Sequence, residues 1–276
     1  MRRRRKTTLK PKDRNRLSDA WKALESGDFE NAAEVAEALV EETERHPDAL
    51  QLLGAALVEL GFIQDGLVLL GEAGDRVEDP PLSHCYEGIA HFERCHFGKA
   101  RQAFQDAIDQ EPDFGYAYYG LGRCADFARR YLLSDRLYHR ANVLDPQSCP
   151  LPVRMRRSHF EEIVKNSIDL VPESLRKVLD QIPVIVEELP DPKILRAENP
   201  PLRPDILGLF VGNHMREQSV FDVPGIPEAI YIFQRNLELF CATREELMYE
   251  IHVTLAHEVG HALGLEEEDL RERGID

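Results

Sequence analysis

The chain has 276 residues, with 50 Asp and Glu against 34 Lys and Arg and a formal net charge of −16. That length suits two domains, and the acidic excess argues against nucleic acid or an acidic membrane as the main partner. No apolar run approaches the ~18 residues that a membrane-spanning helix needs. The start, Met1-Arg-Arg-Arg-Arg-Lys, is basic but no apolar run follows it. It reads as a disordered basic tail over 1–13 rather than a secretory signal. A weak contact with nucleic acid or phosphate is the alternative use of those cations.

From 14 to 150 the chain repeats itself every 34 residues. Ala20, Gly54, Gly88 and Gly122 form a column of small residues where paired helices touch. Phe29, Ile63, Phe97 and Tyr131 form a column of large residues opening each second helix, and Ala32, Gly66, Ala100 and Ser134 follow three later. Ala36, Leu70, Phe104 and Tyr138 make a fourth column, and Leu39, Ala73, Ala107 and Ala141 a fifth. Pro112 and Pro146 close the last two repeats in register, while Pro47 and Pro80 close the first two slightly out of it. This is the tetratricopeptide (TPR) period. A helical hairpin cannot bury its apolar face alone, so about four repeats should stack into an all-α solenoid. Such surfaces bind proteins or peptides, so a protein partner is expected here; packing or scaffolding alone is the plainer alternative. His84, His91, His96 and His139 fall inside the repeats and read as packing or solvent contacts.

The region 158–276 changes character. Phe160–Leu170 has helical periodicity, and Pro172–Leu179 continues it after a break. Ile182–Glu187 is β-branched and bounded by prolines, which reads as a strand. Asp191–Pro204 is proline-rich and reads as a loop. Ile206–Gly212 and Ala229–Phe233 are two further short strands. The region is therefore α+β.

The last helix carries the chemistry. Thr243-Arg244-Glu245-Glu246 is a capping box, and Leu247, Ile251, Leu255, Val259 and Leu263 form a buried stripe. Gly264 is the expected left-handed stop, so the helix spans about 244–263. It contains His257-Glu258-Val259-Gly260-His261, an HExxH pattern. The two imidazoles lie one helical turn apart on one face, where they can hold one Zn²⁺, and Glu258 can serve as general base toward water. Tetrahedral zinc needs a third protein ligand and an open position. A ligand on a later helix is disfavoured, since the sequence ends at Asp276. The metzincin spacing, with a glycine turn after the motif, selects Glu267. Its neighbours Glu266, Glu268 and Asp269 are carboxylates too, and the choice among them stays open.

Several segments in order resemble the minimal zincins, a family of small bacterial zinc metallopeptidases. They are FEEIVKNSIDLVPESL, IPVIVEELPDP, ILGLFVG, EAIYIFQRNLELFCATREEL and VTLAHEVGHALGLEEEDL. The resemblance implies a helix, a small mixed sheet and a terminal zinc helix, with ligands His257 and His261, base Glu258 and an acidic third ligand at Glu267. In a zincin-like arrangement the strand before the last helix forms the cleft wall, which makes Ala229–Phe233 the candidate, an edge that could pair with an extended substrate. The resemblance implies one Zn²⁺ per chain and a peptide or protein substrate. Two functions follow. One is a zinc metallopeptidase whose repeats recruit a substrate or partner. The other is a TPR adaptor whose zincin domain binds zinc with little or no turnover.

Other groups are set aside. His252 precedes His257 by five residues and points ~140° away from it, so it reads as a core or surface residue rather than a ligand. His214, after the second strand, and Tyr231, on the third, could approach the cleft as electrophiles. The five cysteines, Cys85, Cys95, Cys124, Cys149 and Cys241, form no CxxC pair and read as free thiols in a reducing cytoplasm.

Overall fold

The structure is a computed structural model, and it describes residues 8–171, 179, 181–197, 201–212, 226–265 and 267–272. Contacts divide the chain into two units, 1–149 and 150–276. His214 and all but Leu179 of the expected helix over Pro172–Leu179 lie outside the described residues.

The first unit consists of helices paired in sequence. They are α1 (Pro11–Glu25), α2 (Phe29–Glu42), α3 (Pro47–Glu59), α4 (Ile63–Ala73), α5 (Pro80–Glu93), α6 (Phe97–Gln110), α7 (Gly115–Phe127) and α8 (Tyr131–Leu144). A 3-10 turn, Gly74–Arg76, follows α4. Helix α1 begins inside the stretch assigned from sequence to a tail, with Pro11 in its first turn. Proline suits that position because the amide it lacks would have no helical partner there. Pro47 and Pro80 do the same for α3 and α5, so these prolines open the next repeat as much as they close the last.

The repeat columns explain one another. A Cβ at Gly54 would sit 2.9 Å from Leu70 Cγ, one at Gly88 would sit 2.6 Å from the Phe104 ring, and one at Gly122 would sit 2.8 Å from the Tyr138 ring. In the last three repeats the small residue of the first helix is thus the seat for the fourth-column side chain of the second helix. Phe29, Ile63, Phe97 and Tyr131 each stand at the first position of the second helix.

The turn inside each hairpin also repeats. Gly27 and Gly61 have φ of 85°, and the matching positions of the last two repeats are Cys95 at 56° and Arg129 at 55°. In each, the following residue donates back across the turn: Asp28 N to Ala23 O, Phe62 N to Leu57 O, His96 N to His91 O, and Arg130 N to Ala125 O. All four are left-handed helix stops of one design.

The second unit opens with α9 (Arg157–Leu170). Strand β1 (Val184–Glu187), the short helix α10 (Pro192–Leu195), β2 (Gly208–Val211) and β3 (Ala229–Phe233) follow. Helices α11 (Gln234–Phe240), α12 (Arg244–Ala262) and α13 (Glu267–Glu272) complete it. The proline-rich stretch read as loop contains one helical turn, α10, capped by Asp191, which accepts from Lys193 N at 2.8 Å. The sheet order is β1-β3-β2, with β1 parallel and β2 antiparallel to β3. One face buries Val186, Phe210, Ile230 and Ile232 against α9 and α12. The other carries Val211, Ala229, Tyr231 and Phe233. The expected cleft wall, Ala229–Phe233, is therefore the central strand. Its residues are all buried, and its hydrogen-bonding groups are taken on both sides, so it cannot pair with a substrate. Within the described sheet the edges are β1 and β2.

Candidate metal centre

Helix α12 starts as the sequence requires. Thr243 Oγ1 accepts from Glu246 N at 3.1 Å, and Glu246 Oε2 accepts from the backbone N–H of Ala242 at 2.8 Å. The reciprocal bond thus reaches one residue further back than the usual capping box. Leu247, Ile251, Leu255 and Val259 are fully buried, and Leu263 packs at the margin of the same core.

The opposite flank of the helix presents the histidines. His257 and His261 cross at 81° with ring centroids 4.6 Å apart. Their Nε2 atoms converge to 2.9 Å. Two nitrogens each 2.0–2.1 Å from one tetrahedral zinc are ~3.3 Å apart, so a small opening of the rings would seat the ion. The tautomer suits it as well. His261 Nδ1 lies 3.2 Å from the Leu265 carbonyl oxygen, and a proton on Nδ1 donated there leaves the Nε2 lone pair for a metal. That carbonyl is placed by the helix stop. Gly264 has φ of 76°, Gly264 N donates to His261 O and Leu265 N to Gly260 O, the two bonds of a Schellman turn.

Past that turn the chain folds back. Leu270 of α13 is fully buried and sits so close to Gly260 that a Cβ there would collide with it. Gly260, inside the HExxH pattern, therefore docks α13 onto α12. Glu267 is the first residue of α13; its side chain is outside the described atoms. Among the described residues no group of three His, Cys, Asp or Glu side chains is placed to hold a metal. The pair of imidazoles fits zinc, and a third ligand has to come from beyond them.

Glu258 is buried at 7% exposure and turns toward the sheet. Its Oε2 accepts from Phe210 N at 2.7 Å. Phe233 N donates to Leu207 O across β2 and β3, so alternation along an antiparallel ladder points the amides of Gly208 and Phe210 away from β3. Glu258 therefore binds the outer edge of β2. Gly208 makes room for it, since a Cβ there would lie 2.9 Å from Glu258 Cγ and 2.7 Å from Thr254 Cγ2. The approach to β2 is fixed from the other end by Asn236, whose Nδ2 donates to Pro204 O at 2.8 Å and Ile206 O at 2.7 Å. Sequence reading passed over Gly208, Phe210 and Asn236. The glycine inside ILGLFVG was the available signal, because a glycine within a strand marks close approach of another group.

The remaining candidates separate cleanly. Tyr231 lies on the sheet face opposite α12 and its hydroxyl donates to Pro227 O at 3.0 Å. It does not join the histidines. His252 Nδ1 is buried and has no hydrogen-bond partner among the described residues. Burial raises the thiols of Cys124 and Cys241 to about 12 and that of Cys149 to about 11, with Glu246 and Glu250 adding to the effect at Cys241. Burial pushes Cys85 further still. None of these four offers a thiolate ligand near neutral pH.

Residues 179–275 match the family described as Zincin-like metallopeptidase, and residues 18–73 and 87–133 match the family described as Tetratricopeptide repeat. The chain joins tetratricopeptide repeats to a zincin-like domain. Several solved structures show a loose likeness to the chain. TTC0263, a thermophilic TPR protein in Thermus thermophilus, is 16% identical with a TM-score of 0.44, covering 62% of this chain and 92% of its own. MamA (41-end) from Desulfovibrio magneticus RS-1 is 15% identical with a TM-score of 0.40, again covering 62% of this chain and 92% of its own. No curated protein matches the TPR–zincin chain. Among its described residues no helix is long and apolar enough to cross a membrane.

Proposed function

We propose that the zincin-like domain is a zinc-dependent metallopeptidase and that the repeats recruit its protein substrate or partner. The observation that carries this reading is the convergence of His257 and His261 Nε2 at 2.9 Å beside a buried Glu258. His257, His261 and the carboxylate of Glu267 would hold one Zn²⁺. Bound zinc supplies Lewis acidity toward the scissile carbonyl and acidifies water toward a pKa of ~7. Glu258 takes the proton from the attacking water and returns it to the leaving amine. Phe210 N–H holds one oxygen of that carboxylate and so sets the direction of the other. The donated proton of His261 Nδ1 keeps that imidazole in the ligating tautomer. An extended peptide would run along the outer side of β2, since β3 is enclosed. The five cysteines are buried and none stands in a CxxC pattern, which favours a reducing compartment, the cytoplasm.

The bond from Phe210 N to Glu258 also favours a second reading, in which Glu258 clamps β2 to α12 and the domain is a zinc-binding adaptor without turnover. Glu258→Gln separates the two, because the amide oxygen still accepts from Phe210 N–H but the side chain no longer takes a proton. The expected result is unchanged zinc content, near one ion per chain by elemental analysis, with peptide hydrolysis reduced at least ~10²-fold. Full hydrolysis by the variant would remove Glu258 as the base. No hydrolysis by the parent protein, tested across unstructured peptides, would leave the adaptor reading. His257→Ala and His261→Ala should each abolish tight zinc binding, and stoichiometric zinc in the double variant would overturn the ligand assignment.

A further inference from the structure

The first helices of the four hairpins share a groove of about 800 Å³. Its floor takes Trp21 from α1, Tyr86 from α5 and Tyr116 from α7, and its charged residues are Glu25 from α1, Glu59 from α3 and Asp145 after α8. Among the described residues that line it, no lysine or arginine appears. Arg123, outside the lining, lies over the Phe92 ring, 4.2 Å from its centroid, and 3.9 Å from Glu93, and its charge also reaches Tyr116. Trp21 and Tyr86 form a tilted aromatic pair in the groove lining, with ring centroids 6.2 Å apart and planes at 38°.

We infer that this groove binds an extended Arg- and Lys-rich peptide segment of a partner protein. The inference rests on the reading of the repeats as a protein-recruitment module and gives that partner its chemistry. Charge complementarity is the argument. Three carboxylates in an aromatic trough attract cations and repel acidic chains. A guanidinium or ammonium over the Trp21 or Tyr86 face gains cation–π energy while its hydrogens reach a carboxylate. Burial, followed by the charge of Glu59, holds the Tyr86 hydroxyl in its neutral form, and the same burial raises Tyr116 to about 12. Both tyrosines therefore stay neutral donors beside the cations. Length selects a peptide over a small amine. The floor crosses from α1 to α7, roughly 25 Å at the usual spacing of packed helices, the span of about eight extended residues.

Trp21 is the single tryptophan of the chain, so its fluorescence reports the groove directly. The full-length protein is titrated with an Arg/Lys octapeptide, its Gln-substituted counterpart and its Glu/Asp counterpart, with calorimetry in parallel. Saturable one-to-one binding of the basic peptide alone is expected. The double variant Glu25→Gln, Glu59→Gln should weaken it at least ~10-fold. Glu30→Gln with Glu34→Gln, exposed residues of α2 outside the groove lining, makes the same change of net charge and should weaken it less than ~2-fold, as expected for screened surface charges. Equal weakening by the two pairs would mean binding to net charge and would overturn the proposal. Equal binding of the Gln or acidic peptide would overturn the cationic chemistry and leave peptide recruitment standing. Binding of no peptide would remove both. If deleting residues 1–7 tightened binding more than ~10-fold, the groove would belong to the chain's own Arg2–Lys6, and the assignment to a partner would fall.

Discussion

Gly208 shows how much one missing methyl can decide. Its Cα lies against Thr254 and Glu258, and β2 can approach α12 closely enough for Phe210 N–H to reach the carboxylate only because no side chain intervenes. The neighbours are the methyl of a buried threonine and the stem of a buried glutamate whose carboxylate is held by Phe210 N–H. Gly208→Ala should therefore destabilise the domain by about 1–3 kcal/mol, the range for overpacking, as read from urea unfolding. It should also lengthen the Phe210–Glu258 contact, so any peptidase activity should fall while zinc content holds. A variant as stable as the parent would show that β2 shifts freely and would remove the positioning role given to this glycine.

At the scale of elements, the hairpin turns of the repeats are one device in two grades. Gly27 and Gly61 take the left-handed conformation at no steric cost, whereas Cys95 and Arg129 take it with a Cβ. That conformation costs an ordinary residue about 1 kcal/mol. Arg129 is exposed, so Arg129→Gly gives up little packing and should raise the stability of the first unit by up to about 1 kcal/mol, measured by thermal or urea unfolding. Cys95 is fully buried, and there the loss of side-chain packing works against the gain. A second element-level effect depends on pH. His84 of α5 lies 3.3 Å from Glu87 and 3.7 Å from Asp75 of the 3-10 turn. The bond to Glu87 raises its pKa above the ordinary 6.5, against the opposing effect of burial. A raised folded-state pKa means that the protonated form stabilises the fold. The contribution is complete below about pH 6.5 and fades as pH rises through the raised value. His84→Gln should thus lower the melting temperature at about pH 5.5 and make no difference at about pH 9; a pH-independent loss would assign His84 to packing alone.

For the whole molecule the division at 149/150 matters most. In the first unit each hairpin packs on its neighbours in sequence, and in a repeat stack stability is close to a sum of such nearest-neighbour terms. Residues 1–149 expressed alone should give a helix-dominated circular-dichroism spectrum and a cooperative melt. A fragment dominated by coil would show that the repeats need the zincin-like domain to fold. Under the function proposed above, the same division would separate recruitment in one unit from chemistry in the other. The net charge of −16 is spread over both, so a basic partner would also be steered toward the chain before it meets the groove.

The features legible without coordinates are those written in short-range periods. The 34-residue columns, the second-helix starts at Phe29, Ile63, Phe97 and Tyr131, the Thr243 cap, the Gly264 stop and the shared face of His257 and His261 all follow from spacing along one chain segment. Helix geometry alone converts such spacing into position. Strand order does not follow in that way. Ala229–Phe233 reads as a strand with its observed ends, yet it lies at the centre of the sheet, because periodicity reports how buried a segment is and not which segments flank it. Its unbroken apolar run, Ala-Ile-Tyr-Ile-Phe, was a sign of burial on both faces. The tertiary structure alone decided that β2 is an edge, that Phe210 N–H meets Glu258 across 48 residues of sequence, and that Leu270 docks on Gly260. The Phe210–Glu258 contact joins segments distant in sequence and the Leu270–Gly260 contact crosses a turn; both are selected by packing and by the need of each buried polar group for a partner, which no local pattern encodes.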